Sequence, residues 1–192
     1  ALTVSGGGVF FMDLASALMG HARGGPAKVA ILSSGFFGSL SGSVISNVIS
    51  TGSMTIPTMK RCGYPPAYAG AVESCASTGG ALMPPVMGSV AFVMASFMNV
   101  PYADIMLAAT VPALLFYLIL LIQTDCYAAR HGLKGLPKDQ LPKLWLVLRS
   151  GWVFLLSLIA VVVRLLAPNA EATYPFYVSV LLLITHILRN AK

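Results

Sequence analysis

Residues 29–59 read VAILSSGFFGSLSGSVISNVISTGSMTIPTM, an apolar stretch interrupted by glycine, serine and threonine. A basic segment lies on each side of it, HARGGPAK at 21–28 and KRCGYPP at 60–66. Cytoplasmic loops of membrane proteins carry an excess of Lys and Arg, so both segments are expected on the same side of a membrane. Two complete spans and a turn need roughly 40 residues, whereas this stretch has about 31. The spacing therefore predicts a re-entrant helical hairpin that enters and leaves by one face.

The composition of the whole chain favours a membrane protein. Hydrophobic residues make up 57% of the 192 residues, charged residues make up 9%, and the mean hydropathy is +0.82. A soluble domain carries about 25% charged residues, so lipid is the expected solvent for much of the chain. The net charge of +6 comes from basic residues between the apolar runs. It therefore indicates membrane orientation rather than nucleic-acid binding.

A second interruption occurs in the apolar stretch 67–98, where STGG at 77–80 is followed by PP at 84–85. Proline removes a backbone donor and leaves an earlier carbonyl without its helical partner, while glycine lets the chain unwind. A transmembrane helix broken in this way exposes carbonyl oxygens, which can bind Na+. Its second half also begins in the membrane with an N-terminus that attracts anions.

The complete pattern predicts an all-α, polytopic membrane protein with a re-entrant helical hairpin and a broken transmembrane helix. The loops 99–104 and 168–173 contain no Lys or Arg and are expected outside. We divide the chain into the end of a transmembrane helix with a cytoplasmic basic loop (1–28), the re-entrant hairpin (29–66), the broken transmembrane helix (67–104), a transmembrane helix with a cytoplasmic basic connector (105–149), and two further transmembrane helices, the last of them truncated (150–192). The chain is expected to be a fragment of a longer protein.

Enzyme motifs are missing from the sequence. It contains no HExxH, no GxSxG and no GxxxxGK[ST] phosphate loop, and its three cysteines are far apart. We therefore expect no catalytic residues, no resident cofactor and no metal site beyond a coupling cation. Glu73 allows two interpretations, because it is either a functional carboxylate inside the membrane or an interfacial partner of Lys60 and Arg61.

Five stretches of the chain resemble the large membrane subunit of tripartite ATP-independent periplasmic (TRAP) transporters. They are GSVISNVISTG at 42–52, TIPTMKRCGY at 55–64, AGAVE at 69–73, ASTGG at 76–80 and MPPVMG at 83–88. Within that family, the sequence is most similar to the TAXI-type fused permeases. The similarity extends from about residue 5 to about residue 150.

The resemblance implies a secondary transporter of the bacterial inner membrane, in which Na+ symport drives the uptake of a dicarboxylate-like organic anion. A periplasmic substrate-binding protein would deliver the solute, and a transport domain would move as an elevator in the lipid bilayer. The large subunit of this family has two inverted repeats, each with a hairpin and a broken helix. This chain would contain the hairpin (about 29–59) and the broken helix (about 67–98) of the first repeat, then the connecting helices and the start of the second repeat.

The resemblance also implies roles for individual residues. Cation ligands would come from the hairpin tip and from carbonyls of the broken helix: Ser43, Ser46, Asn47, Gly80, Met83 and Pro85. Three hydroxyl residues would face the solute: Thr51, Ser77 and Thr78.

Two other functions are compatible with the composition. A membrane channel needs a continuous pore, whereas the broken helices here are expected to meet at a closed site. A structural membrane subunit without a ligand would have no use for such a site.

Overall fold

A computed structural model describes residues 7–137, 139 and 141–165 of the chain. The regular secondary structure of this part is helical, and it contains no strand. Its helices are α1 (Gly7–Met19), α2 (Gly25–Ser41), α3 (Val44–Arg61), α4 (Pro66–Gly79), α5 (Ser89–Met98), α6 (Tyr102–Arg130) and α7 (Leu144–Leu165). The prediction of an all-α protein is confirmed for these residues. The predicted last transmembrane helix lies outside them.

Helices α2 and α3 form a helical hairpin, since only Gly42 and Ser43 separate them and the two helices pack against each other. Their 17 and 18 residues correspond to lengths of about 26 and 27 Å. Each arm is therefore slightly shorter than the hydrocarbon core of a bilayer, which is about 30 Å thick. The hairpin predicted from the basic flanks is present, and its insertion into a membrane from one face stays a prediction.

The second interruption is also present. Helix α4 ends at Gly79, α5 begins at Ser89, and residues 80–88 between them form turns and bends. Helix α4 packs against both arms of the hairpin, and α5 packs against α6. We call residues 80–88 the break.

Helix α6 is the one helix in the described part of the chain that is long and apolar enough to cross a membrane. Its 29 residues span about 43 Å, and they include the predicted span 105–124. Only 17% of its most apolar window is buried within the structure. Most of its side chains are therefore available to lipid or to other parts of a membrane assembly.

Two apolar clusters hold the helices together around the hairpin. The first joins α2, α3, α4 and α6 and includes four alanines among its members: Ala27, Ala30, Ile31, Met59, Tyr64, Ala69, Val72, Ala76 and Tyr117. The second is aromatic and joins α1, α2 and α7: Phe10, Phe11, Leu14, Phe37, Val147 and Phe154. Small residues allow helix backbones to approach closely, which is how helices associate in lipid.

Polar contacts join the basic segments at one end of the helices. Asp125, near the end of α6, accepts hydrogen bonds from Arg23 and, at 2.5 Å, from Lys28. The hydrogen bond to Asp125 and its negative charge raise the pKa of the Arg23 guanidinium. The Tyr64 hydroxyl donates to the Gly24 carbonyl at 3.2 Å, and burial raises the Tyr64 pKa to about 12. The structure thus brings both segments that flank the hairpin together.

This arrangement predicts opposite membrane sides for the two ends of α6. Asp104 in its first turn and Lys134 after its last turn are both exposed. In the full-length protein without its native cysteines, Lys134→Cys should react with an impermeant maleimide only from the cytoplasmic side. Asp104→Cys should react only from the other side, because about 43 Å of apolar helix separates the two positions. Labelling of both positions from one side would contradict the topology.

Candidate functional site

The tip of the hairpin is a tight connection that requires glycine. Gly42 has φ 58° and ψ 3°, a left-handed conformation that glycine adopts without steric cost. A Cβ at this position would also collide with the carbonyl oxygen of Met87. Ser43 follows as the N-cap of α3, and its side chain accepts a hydrogen bond from the Ser46 amide at 3.4 Å. The tip therefore lies directly against the break.

Hydrogen bonds fix the break on both sides. The Val86 amide donates to the Ser39 carbonyl of α2 at 3.1 Å, and the Gly88 amide donates to the Ala81 carbonyl at 2.8 Å. The hydroxyl of Tyr102, the first residue of α6, lies 2.5 Å from the Val86 carbonyl oxygen and 3.2 Å from that of Pro85. The peptide bond between Pro84 and Pro85 is cis. These contacts give the nonhelical residues a defined path between the hairpin and α6.

Helix α2 and the start of the break approach each other through glycine. A Cβ on Gly80 would lie 2.9 Å from the Gly38 Cα and 2.8 Å from the Asn47 Nδ2. Asn47 is fully buried, and its Nδ2 donates to the Ser34 carbonyl at 2.9 Å. The amide of Asn47 therefore occupies the space that the two glycines leave and connects α3 to α2 beside the break.

A cavity of about 520 Å³ opens where the hairpin tip meets the end of the break. Its lining residues are Ser41, Gly42, Ser43, Val44, Ile45, Val86, Met87, Ser89 and Phe92. Two of them, Val44 and Ser89, are the first residues of α3 and α5. Free backbone N–H groups and the helix dipole make each N-terminus favourable for an anion. The cavity therefore combines two positive helix ends, serine hydroxyls and apolar walls.

Below the tip, a buried carboxylate connects three helices. Glu73 on α4 is fully buried and accepts hydrogen bonds from four hydroxyl groups: Ser34 at 3.1 Å, Thr51 at 2.5 Å, Thr55 at 2.5 Å and Ser77 at 3.1 Å. Neither of the two ion pairs found in the described part of the chain involves this carboxylate. We call Glu73 and its four donors the Glu73 network.

The side chain of Thr51 joins this network to Asn47. Its Oγ1 lies 2.8 Å from the Asn47 carbonyl oxygen and 3.3 Å from the Asn47 Oδ1, in addition to its contact with Glu73. Because a hydroxyl has a single hydrogen, these contacts compete for it, and the shortest is to the carboxylate. The Thr55 hydroxyl also has two possible acceptors, because its Oγ1 lies 3.0 Å from the Thr51 carbonyl oxygen as well as 2.5 Å from Glu73.

The structure brings together the two parts of the predicted cation-binding set. Ser43, at the tip, lines the cavity, and Asn47 lies against Gly80 of the break. Pro85 is buried, and its carbonyl oxygen is within hydrogen-bond distance of the Tyr102 hydroxyl. The tip and the break are thus neighbours, as the sequence pattern indicates. Whether these oxygens bind a cation stays a prediction.

The three residues expected to face a solute lie in different surroundings. Thr51 and Ser77 are buried, and both donate to Glu73. Thr78 is exposed, and its hydroxyl donates to the Ser74 carbonyl at 2.8 Å. None of the three lines the cavity at the hairpin tip. Their role in solute binding stays a prediction.

Sequence reasoning left the role of Glu73 open and did not single out the cavity residues Ser89 and Phe92. In the structure, Glu73 contacts hydroxyls of the hairpin rather than forming an interfacial ion pair. The spacing of Thr51 and Thr55 was the available signal, because residues four apart lie on the same helix face. Ser89 had a signal as well, since it follows the Pro-Pro pair where a second helical segment begins.

Comparison with known proteins gives a consistent family. A family model described as the DctM component of tripartite ATP-independent periplasmic transporters matches residues 1–192. The C4-dicarboxylate TRAP transporter large permease protein DctM of Pseudomonas aeruginosa is 34% identical over 160 residues, which are 82% of this chain and 37% of that protein.

The names of two further relatives contain other solutes, isethionate and sialic acid. The isethionate TRAP transporter permease protein DctMQ of Oleidesulfovibrio alaskensis is 28% identical over 150 residues, which cover 77% of this chain and 23% of that protein. The sialic acid TRAP transporter large permease protein SiaM of Vibrio cholerae is 25% identical over 150 residues, which cover 78% of this chain and 35% of that protein. The chain therefore spans less than half the length of these relatives.

The Glu73 network predicts unequal effects for two threonines of α3. Thr55→Val removes a hydroxyl that donates to the buried carboxylate, and it should lower the free energy of unfolding by about 1–3 kcal/mol. Thr58→Val is the matched control, because the Thr58 hydroxyl donates to the Met54 carbonyl in its own helix and is not one of the four donors to Glu73. Its effect should stay below about 0.5 kcal/mol. Denaturant unfolding of the purified full-length protein measures both changes, and equal losses would contradict the network.

The glycine contact predicts that Gly80 tolerates no side chain. Gly80→Ala should lower the free energy of unfolding by about 1–3 kcal/mol, because its Cβ would force the break away from Gly38 and Asn47. Gly70→Ala is the control, since a Cβ there meets nothing within 4 Å and alanine favours a helix by about 0.5–1 kcal/mol. The same unfolding measurement applies. A Gly80→Ala protein as stable as the parent would show that the backbones are not in close contact.

Proposed function

We propose that this chain, which belongs to the DctM component family of tripartite ATP-independent periplasmic transporters, contributes the first half of a transport site that takes up an organic anion by symport with Na+. The observation that carries this proposal is the cavity at the hairpin tip, where α3 and α5 both begin. A half-site on this chain is consistent with the larger size of its relatives. The remaining ligands would come from the rest of the permease.

The chemistry of the cavity favours a carboxylate or a similar anion. Two helix N-termini present backbone N–H groups, and the hydroxyls of Ser41, Ser43 and Ser89 provide further donors. The apolar residues of the wall, such as Ile45 and Phe92, suit the carbon skeleton of an organic molecule. The relatives described above are named for C4-dicarboxylates, isethionate and sialic acid, all of which are organic anions. We infer a dicarboxylate-like solute for this protein.

Cation coupling is proposed from the oxygens around the tip and the break. Serine hydroxyls and backbone carbonyls are hard ligands, which suit Na+ better than softer metals. The proposed set is Ser43, Ser46, Asn47, Gly80, Met83 and Pro85. Because the tip rests on the break, a cation bound between them would order the same residues that line the cavity. Cation and solute would then strengthen each other's binding, and that reciprocal effect is the thermodynamic basis of symport.

The family suggests the setting in which this site works. We propose a bacterial inner-membrane location, delivery of the solute by a periplasmic substrate-binding protein, and elevator movement of the hairpin together with the broken helix. We also propose the TAXI-type fused permeases as the subgroup, from the overall resemblance of the sequence described above. Each of these points follows from similarity to the family and remains part of the proposal.

Uptake by the full-length protein in proteoliposomes tests the proposal and the cavity together. Labelled dicarboxylate uptake should require both a Na+ gradient and the cognate binding protein. Ser89→Asp adds a negative charge at the N-terminus of α5 and should reduce uptake at least about tenfold, because a nearby like charge costs an anion more than about 1.4 kcal/mol. Ser89→Asn has a similar size without the charge and should lose much less.

The outcomes separate the possible functions. Uptake that ignores the Na+ gradient would contradict symport, and flux at rates far above those of a carrier would indicate a channel. Equal uptake by the Asp and Asn variants at position 89 would show that the cavity does not receive the anion. Membrane insertion of each variant is compared first by the amount of protein extracted from the bilayer.

A further inference from the structure

Glu73 on α4 lies against both arms of the hairpin and is not among the residues expected to bind cation or solute. Its four hydroxyl donors come from α2 (Ser34), α3 (Thr51 and Thr55) and α4 (Ser77), so one side chain connects both arms of the hairpin to the broken helix. A buried carboxylate is costly unless it is hydrogen-bonded. The donors therefore hold these helices in one arrangement.

Two short chains of contacts lead from Glu73 to Gly80, the first residue of the break. The first passes through α3, from Glu73 to Thr51 and from Thr51 to Asn47, whose amide lies against Gly80. The second passes through α4, where the Ser77 hydroxyl donates to Glu73 and the Ser77 carbonyl accepts from the Gly80 amide at 3.1 Å. Displacement of Glu73 would therefore move Asn47 relative to Gly80.

A glutamine at position 73 can keep hydrogen bonds of this network without the negative charge. Thr55 lies 2.5 Å from the Glu73 Oε2 and 3.0 Å from the Thr51 carbonyl oxygen. With glutamine at position 73, the side-chain amide can donate to the Thr55 hydroxyl, which then donates to the Thr51 carbonyl. The amide oxygen can still accept hydrogen bonds from the other three hydroxyls, those of Ser34, Thr51 and Ser77. Leucine accepts no hydrogen bond and leaves all four hydroxyls without this partner.

We propose that Glu73 is a positioning residue for the cation site between the hairpin tip and the break. This inference rests on the proposed function, because it assigns Glu73 a role at that same site. Glu73 touches neither ion nor solute. It sets the distance between Asn47 on α3 and Gly80 in the break, and thereby the spacing of the oxygens that a cation would require.

The test compares Na+ binding by the purified full-length protein and its variants. A ligand that binds only the folded state raises the melting temperature, so a NaCl titration at constant ionic strength, balanced with choline chloride, gives the half-saturating Na+ concentration. Glu73→Leu should raise that concentration at least about tenfold, the usual cost of losing a residue that orients metal ligands. Glu73→Gln should stay within about threefold of the parent. Cys75→Ala, an exposed change on the same helix, is the control and should match the parent.

The outcome separates positioning from a purely structural role. A lower melting temperature of the Leu variant with unchanged half-saturation would overturn the proposal. So would an equal loss in the Gln and Leu variants, because that result would assign the effect to charge. If Glu73→Leu fails to fold, Thr51→Val removes the hydroxyl between Glu73 and Asn47 and should also raise the half-saturating concentration. An unchanged value in that variant counts against the proposal.

A distance measurement separates this proposal from the proposed function. Ile45 on α3 and Phe92 on α5 both line the cavity and are exposed, so spin labels there report the separation of the two helices without Na+. The Leu variant should broaden the distance distribution, whereas the Gln variant should keep it narrow. If Na+ does not change the melting temperature of the parent, the proposed Na+ coupling is wrong. The distances between the labels then still test whether Glu73 positions α3 relative to the broken helix. If Glu73→Leu has the same distance distribution as the parent, the positioning role of Glu73 is wrong.

Discussion

The arrangement of the hairpin depends on the hydrogen bonds that a fully buried carboxylate receives. Glu73 cannot be hydrated, and in the described part of the chain its contacts are hydroxyls rather than a basic side chain. Those hydroxyls have to come from several helices, because one helix face supplies only residues three or four apart. The carboxylate therefore selects the position of α2 and α3 against α4. Part of the hydroxyl content of this apolar segment is explained by the carboxylate rather than by a transported ligand.

Close contact between the backbones of α2 and the break then places the hairpin tip beside the cavity. Gly38 and Gly80 approach so closely that side chains would separate α2 from the break, and the Asn47 amide fits beside them. As a result the hairpin tip rests on residues 86–88, and the N-termini of α3 and α5 meet around one cavity. Helix ends supply partial positive charge without any Lys or Arg. Such helix ends attract an anion without placing a full charge among apolar helices.

The opposite end of the hairpin has a different character. Its polar anchor is Asp125, which bonds Arg23 and Lys28, and the rings of Tyr68 and Tyr127 stack with their centroids 3.6 Å apart. This end is charged and aromatic, as is typical of a membrane interface. Residues 41–47 at the tip are glycine, serine, valine, isoleucine and asparagine, and none of them is charged. A hairpin fixed at one end and held by hydrogen bonds below its tip gives a permease a compact element on which to build a binding site.

The sequence by itself determined the helical class, the hairpin and the position of the break, because these depend on local properties: apolar length, basic flanks, and the backbone preferences of glycine and proline. It also indicated that the tip and the break would be neighbours. It could not decide the partners of Glu73, since Ser34 and Thr51 are 39 and 22 residues away along the chain. Nor could it show that Ser89 and Phe92, rather than Thr51 or Ser77, line the cavity. Which hydroxyl faces a carboxylate and which faces open space depends on the rotation of each helix, and only tertiary packing sets that rotation.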